Sequence, residues 1–213
     1  AFAAAYFMSA ALRTVTATLA PTLTAEFALQ ARDLGLLSGG YFLGFAATQL
    51  PLGRWLDRLG PKRVEMVFLS LAVVGCLAFA LAQSFWGLLA ARVLCGAGVS
   101  ACLMAPLTGY RRWYDPAHQL RANSWMLMSG SLGMLASTLP VQAALPVLGW
   151  RGIFGVLAGI VALAMVLIAV LVPKWQLERD VSPEVALDKA SNSQHMIWTH
   201  PYFARMVPIG FFI

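Results

Sequence analysis

The sequence predicts an all-α, polytopic membrane protein, and three observations lead to this fold class. First, the chain is 60% hydrophobic and 11% charged, with a mean hydropathy of +0.73, which is too apolar for a soluble domain of this length. Second, it contains six apolar runs near the roughly 20 residues that a helix needs to cross a hydrocarbon core of about 30 Å. Third, these runs are continuous rather than alternating, which favours helices over the strands of a barrel.

The elements follow in order along the chain. The six spans are predicted at residues 1–25, 34–53, 64–84, 86–110, 124–147 and 152–172. The first run lacks an initiating Met, a basic segment and a cleavage site, so we expect a truncated span rather than a signal peptide. We therefore expect a transmembrane bundle at 1–172, a polar cytoplasmic linker at 173–200, and the truncated start of a seventh helix at 201–213.

Basic residues in the short loops predict the orientation of the bundle. The loops after the second and fourth spans hold seven of them, and the opposite loops hold two: Arg54, Arg58, Lys62, Arg63, Arg111, Arg112 and Arg121 against Arg32 and Arg151. This asymmetry predicts a cytoplasmic N-terminus in a cell inner membrane. The net charge of +6 then reflects topology and attraction to anionic lipid, and indicates no nucleic-acid partner.

Polar side chains at helical spacing mark four of the six spans. They lie on the first, second, fourth and fifth: Tyr6, Ser9, Arg13, Thr16; Ser38, Tyr41, Thr48; Arg92, Ser100; and Ser124, Ser131, Thr138, Gln142. We expect these spans to line an aqueous cavity and the third and sixth to face lipid, a pattern typical of two inverted three-helix repeats. The alternative is that small and hydroxylated residues only mark close helix packing.

Two arginines within the spans carry the functional prediction. A guanidinium near the bilayer centre costs at least about 2.5 to 3.5 kcal/mol, so it should face a partner, a cavity or a substrate. Arg13 lies deep in the first span, and no carboxylate is expected to be buried in this part of the chain. An anionic ligand is therefore the predicted counter-ion of Arg13. Arg92 lies nearer its helix end, where snorkelling or bonding to backbone carbonyls is an equal alternative.

The remaining reactive side chains predict no chemistry. Cys76, Cys95 and Cys102 lie inside spans without metal-ligand spacing and are interpreted as small core residues. The spans hold no nucleophile–base pair and no metal cluster, so we predict no enzyme, no metal and no cofactor.

A charged hairpin between the second and third spans is the most specific motif. Residues 53–63 read Gly-Arg-Trp-Leu-Asp-Arg-Leu-Gly-Pro-Lys-Arg, where the glycines permit a tight reversal and Asp57 can pair with Arg111 or Arg112 or cap a helix. This segment resembles the motif Gly-x-Leu-x-Asp-Arg-x-Gly-Arg-Lys of the major facilitator superfamily. The matching residues are Gly53, Asp57, Arg58, Gly60, Lys62 and Arg63.

Two further segments resemble the same superfamily. Arg92, Gly96 and Gly98 are similar to its fourth-helix motif, and Gly149-Trp150-Arg151 is similar to the start of its sixth helix. The resemblance implies the N-terminal half of a twelve-helix transporter that works with a C-terminal bundle. It also implies that the charged hairpin, with Arg111 and Arg112, stabilises the outward-facing state.

The substrate class is predicted from departures within that superfamily. Residues 139–144 lack the Gly-Pro-x-x-Gly-Gly of drug/proton antiporters, and the first span, which in these often holds an embedded acid, bears Arg13 instead. The chain is more similar to bacterial nitrate/nitrite and organic-anion porters, although it lacks the second-helix arginine of nitrate porters. We thus expect proton-coupled or facilitative transport of a small anion, with a site formed by Arg13, Tyr41, Arg92, Ser131, Thr138 and Gln142. Proton-driven efflux of hydrophobic drugs or metabolites, and a receptor or sensor that does not transport, remain alternatives.

Overall fold

The computed structural model describes residues 1–172, and in this range helices joined by short connections make up the chain, with no strand, as the all-α prediction requires. The helices are α1 Phe2–Phe27, α2 Ala31–Leu59, α3 Pro61–Leu81, α4 Phe85–Val99, α5 Ala101–Trp113, α6 Pro116–Ala136 and α7 Leu139–Leu171. The predicted linker at 173–200 and the predicted seventh helix at 201–213 lie outside the described residues.

These helices build six spans because two of the spans are each made of two helical segments. Only Ser100 separates α4 from α5, and because its backbone, with φ −64° and ψ −27°, stays helical, the two form one fourth span. Gly149, with φ 63° and ψ 169°, breaks α7, so its first part completes the fifth span after α6 and its second part is the sixth. Within the described residues, Pro61–Leu81, Phe85–Arg111 and Leu139–Leu171 are long and apolar enough to cross a membrane.

The second span is longer than predicted. We expected it to end at Gly53, but α2 continues as a helix to Leu59, about 9 Å further at 1.5 Å per residue. Gly53 therefore takes no part in the reversal, and that expectation was wrong. The turn is made at Gly60, whose φ of 78° is accessible to glycine, and Pro61 starts α3 where a missing N–H costs nothing.

Helix packing reveals the two inverted repeats. α1, the first span, packs mainly on α6 of the fifth span, and α2, the second span, packs mainly on α4 of the fourth. These two contacts change places when spans one to three are exchanged with spans four to six. The register agrees: Gly44 meets the carbonyl of Val93, and Gly133 meets the carbonyl of Phe7. Each residue of one contact has a counterpart in the other at a similar spacing: Gly133 follows Gly44 by 89 positions, and Val93 follows Phe7 by 86. These glycines let the helix backbones approach closely.

The same spacings recur in a pair of hydrogen bonds. Thr48 donates its hydroxyl to Ser100 Oγ at 2.8 Å, and the hydroxyls of Thr14 and Ser137 lie 2.6 Å apart. Thr48 and Ser137 are 89 positions apart, and Thr14 and Ser100 are 86 apart. Each bond joins one helix of the first repeat to one of the second, beside the point where two helical segments of a span meet.

The third and sixth spans present apolar side chains outward. Their inner faces meet in the core, where the rings of Phe79 and Phe154 stack at 4.0 Å. Their outer faces expose Val67, Val74, Leu77, Leu81, Val156, Ile160, Leu163, Val166 and Val170. Because α2 and α6 also expose large apolar side chains, the assignment of the third and sixth spans to lipid stays a prediction.

Candidate functional site

Three spans bring Arg13, Tyr41 and Arg92 together. Gly96 allows α4 to lie against the backbone of Tyr41, which places Arg92, one turn earlier, over the tyrosine. The Arg92 Cζ atom lies 4.7 Å from the centroid of the Tyr41 ring, and Arg92 Nη1 donates to the carbonyl of Leu12 at 2.9 Å. The Tyr41 hydroxyl donates to the carbonyl of Ser9 at 3.3 Å. The first, second and fourth spans are thus joined at this cluster.

The two arginines differ in access. Arg92 and Tyr41 are each only 1% exposed, whereas Arg13 is half-buried. Arg13 lies beside the Tyr41 hydroxyl, with its Cζ atom 5.9 Å from the ring centroid of Phe45. A solute would therefore meet Arg13 first, and Arg92 would add positive charge from behind the tyrosine ring.

Positive charge in this cluster is not neutralised by the described part of the chain. In residues 1–172, the recorded ion pairs join Arg151 to Glu26 and His118 to Asp115, and neither Arg13 nor Arg92 has an acidic partner. The Nε atoms of both arginines are buried without a hydrogen-bond acceptor. Buried cations of this kind are unfavourable without a counter-ion, so the cluster is suited to an anion.

Arg92 also fulfils the structural alternative considered for it. Its bond to the Leu12 carbonyl and its stacking on Tyr41 hold α4 against α1 and α2. This residue is therefore a cross-link between helices as well as a source of charge.

Three other predicted site residues lie apart from the cluster. Ser131, Thr138 and Gln142 are exposed on the fifth span. The hydroxyl of Ser131 bonds the carbonyl of Leu127 at 3.5 Å, and that of Thr138 bonds the carbonyl of Leu135 at 2.7 Å, both within their own segment. Their place in a solute site stays a prediction.

Sequence reasoning missed the polar contacts between the first and fifth spans. Besides the Thr14–Ser137 contact, Thr18 donates to the carbonyl of Ser137 at 2.8 Å. The i,i+4 spacing of Thr14 and Thr18, and the Ser-Thr pair before Leu139-Pro140, were signals that could have indicated this contact.

The charged hairpin contacts the end of the sixth span. Lys62 Nζ donates to the carbonyls of Ala169 and Val172 at 2.7 and 2.6 Å, where the last carbonyls of α7 lack intrahelical partners. Asp57, Arg58, Arg63 and Arg111 are exposed. The side chain of Arg112 lies outside the described residues, so the predicted pairing of Asp57 stays a prediction.

At the opposite end, Glu26 joins three spans. Its carboxylate accepts from Trp150 Nε1 at 2.5 Å and Arg151 Nη1 at 2.6 Å, and Arg151 Nη2 also donates to the carbonyl of Ala82 at 3.3 Å. The hydrogen bond from Trp150, followed by that from Arg151, lowers the pKa of Glu26 below its ordinary value. The ends of α1 and α3 and the start of the sixth span are thereby connected.

One buried group differs from the expectations. Glu65 is fully buried in α3, so the expectation that no carboxylate would be buried was wrong. The hydropathy pattern placed Glu65 at the edge of a span, and only the packing of α3 against α5 encloses it. The Sγ atoms of Cys76 and Cys95 lie 3.9 Å apart as free thiols, and the described residues hold no group of three metal ligands.

A cavity of about 260 Å³ lies away from the arginine cluster, between the first, fifth and sixth spans. Its wall is built from apolar side chains such as Phe7, Val141 and Leu157, with Ser137 as a polar member. The cavity offers no charged group, so it is unsuited to a small anion.

Comparisons with known proteins agree with this arrangement. The family model described as Major Facilitator Superfamily matches residues 2–213. An uncharacterized MFS-type transporter of Mycobacterium tuberculosis is 29% identical over 79% of this chain and 29% of its own length. The hexuronate transporter of Escherichia coli K12 is 29% identical over 67% of this chain and 33% of its length. A chloramphenicol efflux pump of M. tuberculosis is 34% identical over 55% of this chain and 29% of its length. The chain thus spans about a third of the length of these relatives.

Proposed function

The chain belongs to the Major Facilitator Superfamily, whose members among its relatives are transport proteins and not enzymes, and we propose that it moves a small anionic solute across a membrane by alternating access. The observation that carries this proposal is the pair of arginines, one buried and one half-buried, whose Nε atoms lack acceptors and which have no acidic partner in residues 1–172. The similarity to a hexuronate transporter supports an organic acid as the solute class.

Each residue of the cluster has a proposed role. Arg13 pairs with the solute's negative charge because it is the more accessible guanidinium, and the Tyr41 hydroxyl binds beside it. Arg92 raises the positive potential from behind Tyr41. Ser131, Thr138 and Gln142 complete the polar lining from the fifth span.

The transport cycle is proposed to take place in the cell inner membrane, with the N-terminus in the cytoplasm and the solute in symport with protons. Two bundles rock about the solute site, the second being the C-terminal half that the family resemblance implies. The charged hairpin, formed by Gly53, Asp57, Arg58, Gly60, Lys62 and Arg63 with Arg111 and Arg112, stabilises the outward-facing state.

Uptake by proteoliposomes of the full-length protein tests the proposal. D-glucuronate, nitrate and a cationic dye are compared in wild type, Arg13→Gln and the control Arg121→Gln, whose arginine is exposed and lies outside the cluster. A charge-assisted hydrogen bond is worth about 1.5–3 kcal/mol, so we expect Arg13→Gln to weaken anion uptake roughly ten- to a hundredfold. Anion uptake equal to that of Arg121→Gln would exclude Arg13 as the counter-charge.

Drug efflux is the second candidate because a chloramphenicol efflux pump is among the relatives. The same experiment separates it from anion transport, since efflux predicts dye or chloramphenicol flux that survives Arg13→Gln. A receptor without transport predicts anion binding to the purified protein with no flux in any variant.

A further inference from the structure

One carboxylic acid is enclosed near the charged hairpin. Glu65 is the fifth residue of α3 and is 0% exposed. Within the described part of the chain, neither of its carboxyl oxygens has a hydrogen-bond partner, and the thiol of Cys102, a weak donor, is its polar neighbour. Within residues 1–172, Glu65 is the only Asp or Glu whose side chain is buried. The other carboxylates described there are half-buried or exposed. The anion site proposed above makes no use of this group.

Among the side chains that the structure describes, which do not include that of Arg112, no neighbour gives Glu65 a counter-charge. From α5 it is faced by the thiol of Cys102, and Tyr110 lies two turns further along the same helix. The part of α7 that packs on α3 has no titratable side chain between residues 152 and 172. On its own helix, Lys62 is engaged by the carbonyls of α7, and Arg63 is exposed.

The charged groups at the end of α2 are also exposed: Arg54, Asp57 and Arg58. An ionised carboxylate without strong donors or a cation is strongly disfavoured in such a site, so the enclosed state holds the neutral acid.

The helix that covers Glu65 follows a local irregularity in its span, because the N–H of Ser100 bonds the carbonyl of Ala97 at 3.2 Å although the Ser100 backbone stays helical. α5 begins after Ser100, whose hydroxyl bonds back to the carbonyl of Ala97 at 2.8 Å, a contact that bends helices. Pro106 inside α5 has no N–H for the carbonyl of Cys102 one turn earlier. Both features weaken the continuity of the fourth span at the segment that faces Glu65.

We propose that Glu65 is a proton-binding site and that its protonation is linked to movement of α5 away from α3 by bending of the fourth span between Ser100 and Pro106. With α5 in place, Glu65 keeps its proton. When α5 moves and water enters, the O–H bond breaks, the proton passes to water, and the carboxylate remains. Because linkage is reciprocal, a higher pH on the hairpin side favours the opened state.

This inference deepens the proposed transport function, since the movement of α5 is taken to be a step of the transport cycle. Its test needs no solute, so it can fail or succeed independently of anion transport. The full-length protein is purified in lipid nanodiscs for two measurements.

The first measurement is an infrared pH titration that follows the carbonyl stretch of protonated carboxylic acids. Wild type should show a buried carboxyl band that is lost in Glu65→Gln and kept in Asp115→Asn, an exposed carboxylate after α5. Cys102→Ser, which offers Glu65 a hydroxyl donor, should move the titration of this band to lower pH. A band that survives Glu65→Gln, or is absent from wild type, would overturn the proposal.

The second measurement follows the exposure of Cys102 by maleimide labelling, with Cys76 and Cys95 replaced by Ala. At each pH, the labelling rate of the protein that retains Glu65 is divided by the labelling rate of the Glu65→Gln variant. This division cancels the effect of pH on the reactivity of the Cys102 thiol itself. We expect this ratio to rise by up to about tenfold per pH unit as the pH approaches the titration midpoint of the carboxyl band from below, and to level off above that midpoint, as release of one proton allows. A ratio that is flat with pH would mean that α5 does not move with the protonation of Glu65.

Discussion

Arg92 contributes both helix contacts and positive charge, and replacing it with lysine keeps the charge while removing the contacts. Lysine keeps the positive charge but has neither the planar face that stacks on Tyr41 nor the reach and fork of a guanidinium. We expect Arg92→Lys to lower the free energy of unfolding by about 1–3 kcal/mol, because the bond to the Leu12 carbonyl is lost or weakened. Thermal unfolding in detergent measures this loss.

Solute affinity is the second measurement on Arg92. Arg92→Gln, which removes the charge, should reduce anion affinity more than Arg92→Lys does. Equal affinities in the two variants would mean that Arg92 contributes only packing.

Sequence alone could identify the arginine cluster because each residue is exceptional in an apolar helix. Arg13, Tyr41 and Arg92 occupy polar stripes at helical spacing, and helices must turn such faces inward. Glu65 escaped the same reasoning because it stands at the start of an apolar run, where hydropathy does not distinguish an exposed helix end from an enclosed one. Its burial depends on α5, which is distant in sequence.

At the scale of elements, Lys62 connects the start of α3 to the end of α7. Lys62→Met removes two hydrogen bonds to carbonyls at the negative end of a helix, so we expect a stability loss of about 1–3 kcal/mol. Arg54→Met is the matched control, because Arg54 is an exposed cation near the same hairpin. Unfolding curves that coincide for the two variants would contradict a capping role for Lys62.

The contact of Glu26 with Trp150 and Arg151 makes the opposite end sensitive to acid. Since the folded-state pKa of Glu26 lies below its ordinary value of 4.5, its stabilisation is present above that value and is lost as pH falls through the lowered pKa. Glu26→Gln should therefore unfold at a lower temperature than wild type at neutral pH. The difference should shrink as the pH falls below 4.5. A difference that is constant with pH would exclude the charge of Glu26 as its cause.

Helix boundaries were harder to predict than helix number. Hydropathy detects the lipid-embedded part of a helix, so the second span seemed to end at Gly53 although α2 continues to Leu59. Averaging over a window also hides the interruption of the fifth span at Ser137 and Thr138, which arises from local backbone geometry within an apolar segment. The break at Gly149, in contrast, falls between the predicted spans 124–147 and 152–172.

At the scale of the whole molecule, the inverted repeat makes Thr48–Ser100 and Thr14–Ser137 equivalent positions. Inverted repeats allow alternating access because exchanging the conformations of the two repeats converts one facing state into the other. A contact that favours one state therefore has a counterpart that favours the opposite state. We expect Thr48→Val and Ser137→Ala to shift the facing equilibrium in opposite directions.

The measurement uses a single cysteine at Ser131, an exposed position on the fifth span, in the full-length protein without its native cysteines. A membrane-impermeant maleimide applied to one side of sealed vesicles reports how much of the time that side is open. A hydrogen bond between two hydroxyls contributes about 0.5–1.5 kcal/mol, so each substitution should change the ratio of outward-open to inward-open protein by roughly two- to tenfold. Thr108→Val, which removes a hydroxyl bonded only within its own helix, is the control and should leave the ratio unchanged. Shifts of the same sign for Thr48→Val and Ser137→Ala would mean that the repeat governs packing alone and does not set the balance between the two facing states.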